Sequence, residues 1–228
     1  MKNKDKLPPF LQNSWLALRL KHPSEYEYFY DSDDNYWTRY KFDIVLVDHE
    51  LNSAKDVVIG TLEARRFHDS KASIDEICSH CAFDMSDMDV DQYTEMIWDH
   101  ETHDLSPKFA KAIDSECVFG DIFLLMSIDI KPEYRGHDLG NAATWLFYRN
   151  FCTSYDVLVL LAFPLQFGMQ QEEQEKCKPG EFDGSQRICT QKLLKYYEKL
   201  GFKRIGRSNF MIFNCESIMQ KPNILEWL

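Results

Sequence analysis

The chain has 228 residues and 27.0 kDa, 44% hydrophobic and 14% aromatic, enough apolar material to bury a core and to exclude global disorder. Its net charge of −11 repels phosphate backbones and disfavours bulk nucleic-acid binding, and no apolar run approaches the ~20 residues that a bilayer-spanning helix needs. Seven irregularly spaced cysteines do not read as a disulfide framework. The charged start, Met1 to Lys6, runs into Leu7-Pro8-Pro9-Phe10 without the apolar core of a secretory signal, so a soluble, cytoplasmic protein is expected.

In chain order, residues 13–20 read as a first strand and residues 24–40, rich in Tyr and Asp, as a short helix and a loop. Residues 42–48 and 57–65 are β-branched and partly alternating, which predicts two strands joined by a hairpin loop over 52–56. From residue 70 the pattern changes. Short helices are expected over 74–81, 90–98 and 108–113, forming a helical insertion at about 70–120. Eight carboxylates and no Lys or Arg fall between Asp84 and Asp104. Such a run reads first as a solvated acidic face, and second as an attractor of cationic amines.

Residues 121–130 are almost continuously apolar up to Pro132 and predict a central strand covered on both faces. A helix over 139–152, a buried strand over 157–163, a polar loop over 166–184 and an amphipathic helix over 186–200 follow. Strands over 202–205 and 209–214 close the chain around Gly206-Arg207-Ser208. The order predicts one α/β domain over 1–228, a mixed α+β sheet of six or seven strands with flanking helices.

One stretch carries chemistry. A buried strand stops at Pro132, and a turn with Gly136 and Gly140 opens directly into a helix. Unpaired N–H groups and the positive end of the helix dipole make such a turn an anion site, and glycine lets the backbone come close. The spacing fits neither a Walker loop nor the dinucleotide fingerprint. No Gly-x-Ser-x-Gly elbow marks a nucleophilic triad.

Residues 128–140 resemble the signature of GNAT N-acetyltransferases, a strand ending in proline followed by Arg/Gln-x-x-Gly-x-Gly/Ala and a helix. Residues 194–202, with Tyr196-Tyr197-Glu198-Lys199-Leu200-Gly201-Phe202, are similar to the family's later helix with its Tyr-x-x-x-Gly-Phe ending. The resemblance spans about residues 121–214 and implies a GNAT-like acyl-CoA N-acyltransferase fold. It implies transfer of an acetyl group from acetyl-CoA, as co-substrate, to a primary amine of a small molecule or protein. Main-chain groups of Ile128 and Ile130 would meet the pantetheine arm and acyl carbonyl. The N–H groups of Arg135, Gly136, His137, Asp138, Leu139, Gly140 and Asn141 would hold the pyrophosphate. Tyr197 would protonate the leaving thiolate, with Tyr196 as the fallback should the register slip by one. A cationic acceptor amine is the expected partner, no membrane or nucleic acid is expected, and the oligomeric state is open, a dimer included.

Two positions depart from that pattern. Asp138 stands where the family usually has its first glycine, and Leu161-Ala162-Phe163-Pro164 lacks the asparagine that many members carry. They leave an alternative, a catalytically degenerate GNAT-like protein that binds CoA or a protein partner. Glu116, Asp121 and Asp129 are candidates for the base that an alkyl ammonium acceptor requires, beside a water relay. Cys78-Ser79-His80-Cys81, with His100 and His103, offers zinc-type ligand chemistry, but no second cysteine pair completes the set and no metal is expected.

Overall fold

The computed structural model describes residues 11, 14–21, 36–48, 56–84, 90–164 and 185–226. The expected loops over 52–56 (but for residue 56) and 166–184, and most of the expected helix and loop over 24–40, lie outside the described residues. Strands β1 (Ser14–Leu20), β2 (Trp37–Asp48) and β3 (Val57–Phe67) pair antiparallel in sequence order. β2 begins well before residue 42, because Trp37, Thr38 and Tyr40 suit a pleated strand and Trp37 finds a cross-strand partner in Phe67.

Four short helices follow, α1 (Asp69–Ile74), α2 (Ser79–Asp84), α3 (Asp91–Ile97) and α4 (Pro107–Ile113). The continuous helix expected over 74–81 does not form. Glu76 takes a left-handed φ of 57°, which ends α1 and lets Ser79 open a separate helix. α4 starts where the Ser106 hydroxyl accepts from Phe109 N, with Pro107 in its first turn.

β4 (Ile122–Ile130), α5 (Leu139–Phe151), β5 (Val157–Leu161), α6 (Gln186–Glu198), β6 (Lys203–Arg204) and β7 (Phe210–Asn214) complete the order. The seven strands form one mixed sheet, β1-β2-β3-β4-β5-β7-β6, in which the β4–β5 pair is parallel and the others are antiparallel. A parallel neighbour needs a crossover, and α5 supplies it.

β4 alternates between two cores, as a strand buried on both faces must. Phe123 and Leu125 pack with Phe42, Phe147, Leu158 and Leu194 on the side of α5 and α6. Ile122 and Leu124 pack with Phe83, Tyr93, Ile97, Trp98 and Phe109 on the side of α1 to α4. Among the described residues of the acidic segment, Asp84, Asp91, Glu95, Glu101 and Asp104 are exposed, whereas Tyr93, Ile97 and Trp98 are buried. The segment is therefore half core. No described helix is long and apolar enough to cross a membrane.

Candidate functional site

The sheet opens between β4 and β5. Their parallel pairing runs from Ile122 opposite Val157 to Leu125 opposite Leu160 and then stops, while β4 continues to Ile130. At that point β4 carries an extra residue, because Glu63 of β3 faces Ser127 and Ala64 faces Leu125, leaving Met126 as a bulge. A bulge bends its strand and sharpens the local twist, so β4 swings away from β5. A cleft of about 880 Å³ fills the gap, lined by Leu125 to Ile130 on one side and by Leu160, Leu161, Phe163 and Pro164 on the other.

Strand alternation decides which groups face this cleft. Lys131 N donates to Ile59 O on β3, so Asp129 and Ser127 also turn their main chain to β3, and Ile128 and Ile130 turn theirs to the gap. These are the two residues singled out from the sequence. The Ile130 carbonyl is already engaged, accepting from Arg135 Nε at 2.5 Å, and Ile128 is the open position. On the opposite wall Ala162 N donates to Asn209 O, so Leu161 N faces the gap, where it bonds the Tyr93 hydroxyl. Tyr93 comes from α3, and sequence reasoning missed it because only the fold brings the insertion to the strand's end.

The cleft runs onto the N-terminus of α5. Gly136 has φ 85° and stands open, with nothing within 4 Å of the place a Cβ would take. Asp138 has φ 60°, a left-handed conformation that Asp adopts more readily than most residues. Among the described residues the N–H groups of Gly136, Asp138, Leu139 and Gly140 have no hydrogen-bond partner, so they remain available to an anion. The two ends of the run are different. Arg135 N donates to Pro132 O at 3.3 Å, and Asn141 N donates to the Tyr196 hydroxyl at 2.8 Å.

Tyr196 locks this corner. Its hydroxyl also bonds the Asp138 carboxylate, and burial first, then the nearby Asp138 charge, push its pKa far above that of an ordinary phenol. Asn141 is buried and donates from Nδ2 to Asp138 Oδ1 at 3.0 Å and to Tyr196 O at 3.2 Å. A Cβ on Gly140 would sit 3.0 Å from the Tyr196 oxygen. Glycine at 140 thus makes room for a tyrosine of the same chain. Tyr196 also lines the cleft, but its hydroxyl is engaged at the helix start.

Tyr197 lines the cleft. Burial raises its pKa to about 12, although part of the side chain stays accessible, and its ring packs 6.0 Å from that of Phe202. Arg135, His137, Lys192 and Lys199 line the same cleft, a concentration of cationic and polar groups in a chain of strongly negative net charge.

The three carboxylates considered as bases separate. Asp121 is buried and accepts from Arg66 Nε at 2.6 Å, lies 3.3 Å from His68 Nδ1 and accepts from Ser70 Oγ at 3.3 Å. Burial alone would raise its pKa, but the bonds from His68 and Arg66 outweigh that and hold it below the usual carboxylate value. Asp121 is a structural anchor outside the cleft lining. Glu116 is exposed in the turn before β4 and also outside the lining. Asp129 does line the cleft, with Arg135 Nη2 3.3 Å from its carboxylate.

No protein-family model, no curated protein and no solved structure matches this chain.

Proposed function

We propose that the protein is a GNAT-type N-acetyltransferase that binds acetyl-CoA in the β4–β5 cleft and transfers the acetyl group to a primary amine. The observation that carries this reading is the opening of the sheet after Leu125 and Leu160 directly onto the free amides at the start of α5. A flexible, partly apolar arm ending in a diphosphate fits such a site, apolar along the strands and anion-binding at the helix.

In this reading the pyrophosphate meets Gly136, Asp138, Leu139 and Gly140, with Lys192 and Lys199 nearby. The Ile128 N–H stabilises the oxygen of the thioester carbonyl as the amine attacks. Tyr197, protonated across the physiological range because burial raises its pKa, gives its proton to the departing thiolate. Of the three carboxylates weighed as bases, Asp129 alone lines the cleft, and a water relay is equally compatible with its pairing to Arg135.

Calorimetric titration of the full chain with acetyl-CoA, followed by thiol release in the presence of polyamines and lysine peptides, tests the proposal. Saturable micromolar binding and amine-dependent thiol release are expected. Absence of binding at millimolar CoA sinks it. A second reading, a CoA-binding protein without turnover, is favoured by the Tyr196–Asp138–Asn141 lock, and it predicts binding with no thiol release.

A further inference from the structure

Outside the cleft, the fold brings a cysteine pair together with a histidine that is distant in sequence. Cys78 and Cys81 form a Cys-x-x-Cys pair at the start of α2, and His100 and His103 form a His-x-x-His pair on the turn between α3 and α4. Ligand atoms of Cys78, Cys81 and His103 all lie within 4.8 Å of one another. We propose that Cys78, Cys81 and His103 bind a structural divalent cation of the zinc class, against the expectation drawn from the missing second cysteine pair.

The chemistry of the donors selects the ion. Two thiolates and an imidazole suit zinc and its tetrahedral analogues and do not suit magnesium or calcium. Tetrahedral bonds of ~2.0–2.3 Å place ligand atoms roughly 3.3–3.8 Å apart, so three atoms inside a 4.8 Å limit close on an ion with small side-chain adjustments. Both cysteines are free thiols, and binding releases their two protons to solvent.

The histidine turn is built to present its side chains. Trp98 bridges Leu105 across its base, Asp99 N donates to Asp104 O at 2.8 Å, and His103 N donates to Asp99 O at 2.8 Å. The Asp99 carboxylate accepts from Glu101 N and Thr102 N. His103 itself is held at φ 62°, a conformation uncommon outside glycine and asparagine-like residues. Its Nδ1 lies 2.9 Å from Nδ1 of His80, and we assign the other ring nitrogen, Nε2, to the ion. A metal on Nε2 fixes the proton on Nδ1, which then donates to His80, the outer hydrogen bond that metal-bound imidazoles commonly make. His80 is buried, 6.3 Å between ring centroids from Trp98, and so anchors the ligand to the second core. The fourth position is left to solvent or to His100, whose ring lies 5.1 Å from that of His80.

The cluster lies outside the cleft lining, and with His100 as the fourth ligand it would be a closed site of the structural kind. Helices of six and seven residues are too short to be stable alone, and the ion would tie α2 to the turn that follows α3.

Elemental analysis of the full chain purified without added metal, then cobalt substitution, tests this directly. About one zinc per chain is expected, with thiolate-to-cobalt charge-transfer and strong tetrahedral d–d bands after exchange. Cys78→Ser combined with Cys81→Ser should abolish both signals, and Cys117→Ser, at an exposed cysteine elsewhere, should change neither. His103→Ala, at an exposed side chain, should lower zinc affinity at least about tenfold in competition with a chromophoric chelator, which keeps the test open should the double variant fail to fold. Metal-free wild-type protein that gives no thiolate–cobalt band, a Cys78–Cys81 disulfide in freshly purified protein, or unchanged stoichiometry in the double variant overturns the proposal.

Discussion

Replacing Asp138 by Asn separates the helix-start reading from its rivals, because affinity and stability should move in opposite directions. The Asp138 carboxylate accepts from Asn141 Nδ2 at 3.0 Å and bonds the Tyr196 hydroxyl, so its charge sits among the amides that would receive a diphosphate. At a separation of ~6 Å and an effective dielectric between ~20 and ~80, each phosphate charge is repelled by roughly 0.7–2.8 kcal/mol. Removing the carboxylate charge should therefore tighten CoA binding by about threefold to a hundredfold, with tenfold as the central expectation. Asparagine tolerates φ 60° and keeps an oxygen acceptor for Asn141 and Tyr196. The same carboxylate stabilises the α5 N-terminus through the helix dipole, so its loss should cost about 0.3–1 kcal/mol and lower the melting temperature by roughly 1–4 °C. Calorimetry with CoA, beside S-acetyl-pantetheine lacking phosphates, reads the effect. Tighter CoA binding, unchanged pantetheine binding and a lower melting temperature are expected. Unchanged or weaker CoA binding in the variant refutes the placement of the diphosphate.

The other predictions concern the acid, the turn and the structural anchors. Tyr197→Phe should lower turnover about 100-fold to 10,000-fold with CoA affinity nearly unchanged; because the phenol titrates at about 12, wild-type turnover should show no basic limb near pH ~10, where an ordinary tyrosine would lose its proton. Gly136→Val should abolish CoA binding, since φ 85° is a steric outlier for a branched residue; measured binding within about twofold of wild type would contradict the assignment. Gly60→Ala should unfold or severely destabilise the protein, because the added Cβ collides with the Asp129 carbonyl, and circular dichroism with thermal melting reads this. Asp121→Asn should cost about 1–3 kcal/mol. The native pKa of Asp121 is lowered, so its stabilisation is present above the ordinary carboxylate value of ~3.9 and disappears as pH falls through the lower native value. Acid melts of the variant should therefore be flatter than those of wild type.

Local signals were legible in the sequence, and contacts between distant elements were not. The run from residue 121 to 130 could be read as a central strand because it is nearly continuously apolar, broken within the strand only by Ser127 and Asp129, and Pro132 marks its end. Gly136 announced a turn because the chain there needs a positive φ. Gly140 misled: the space its missing Cβ leaves is filled by Tyr196, which lies more than fifty positions downstream, and nothing local records that contact. Tyr93 was equally hidden, since its partner is the main chain of Leu161 at the end of β5, more than sixty positions downstream. The aromatic stretch around Trp37 read as loop because Asp31 to Asn35 dominate its neighbourhood, whereas pairing with Phe67 decides its conformation. The cysteine and histidine pairs were visible as residues, but their proximity depends on the turn from Asp99 to Asp104 folding back over α2.

The insertion bears on the cleft as well as on the second core. Tyr93 projects from α3 to bond Leu161 N, where β5 has already parted from β4. Without that hydroxyl, Leu161 N would face the cleft with no strand partner, and β5 would gain by closing back onto β4. Tyr93 thus helps keep the sheet open where a thioester would lie. α3 in turn is flanked by α2 and by the histidine turn, the two elements that Cys78, Cys81 and His103 join. Tyr93→Phe should then weaken ligand binding in the cleft while leaving zinc content unchanged, and chelation should lower thermal stability first and cleft binding only as α3 loosens. Chelation that strips the metal without moving either quantity would mean that α3 is held by Ile97 and Trp98 packing alone, and the link from metal to cleft would be absent.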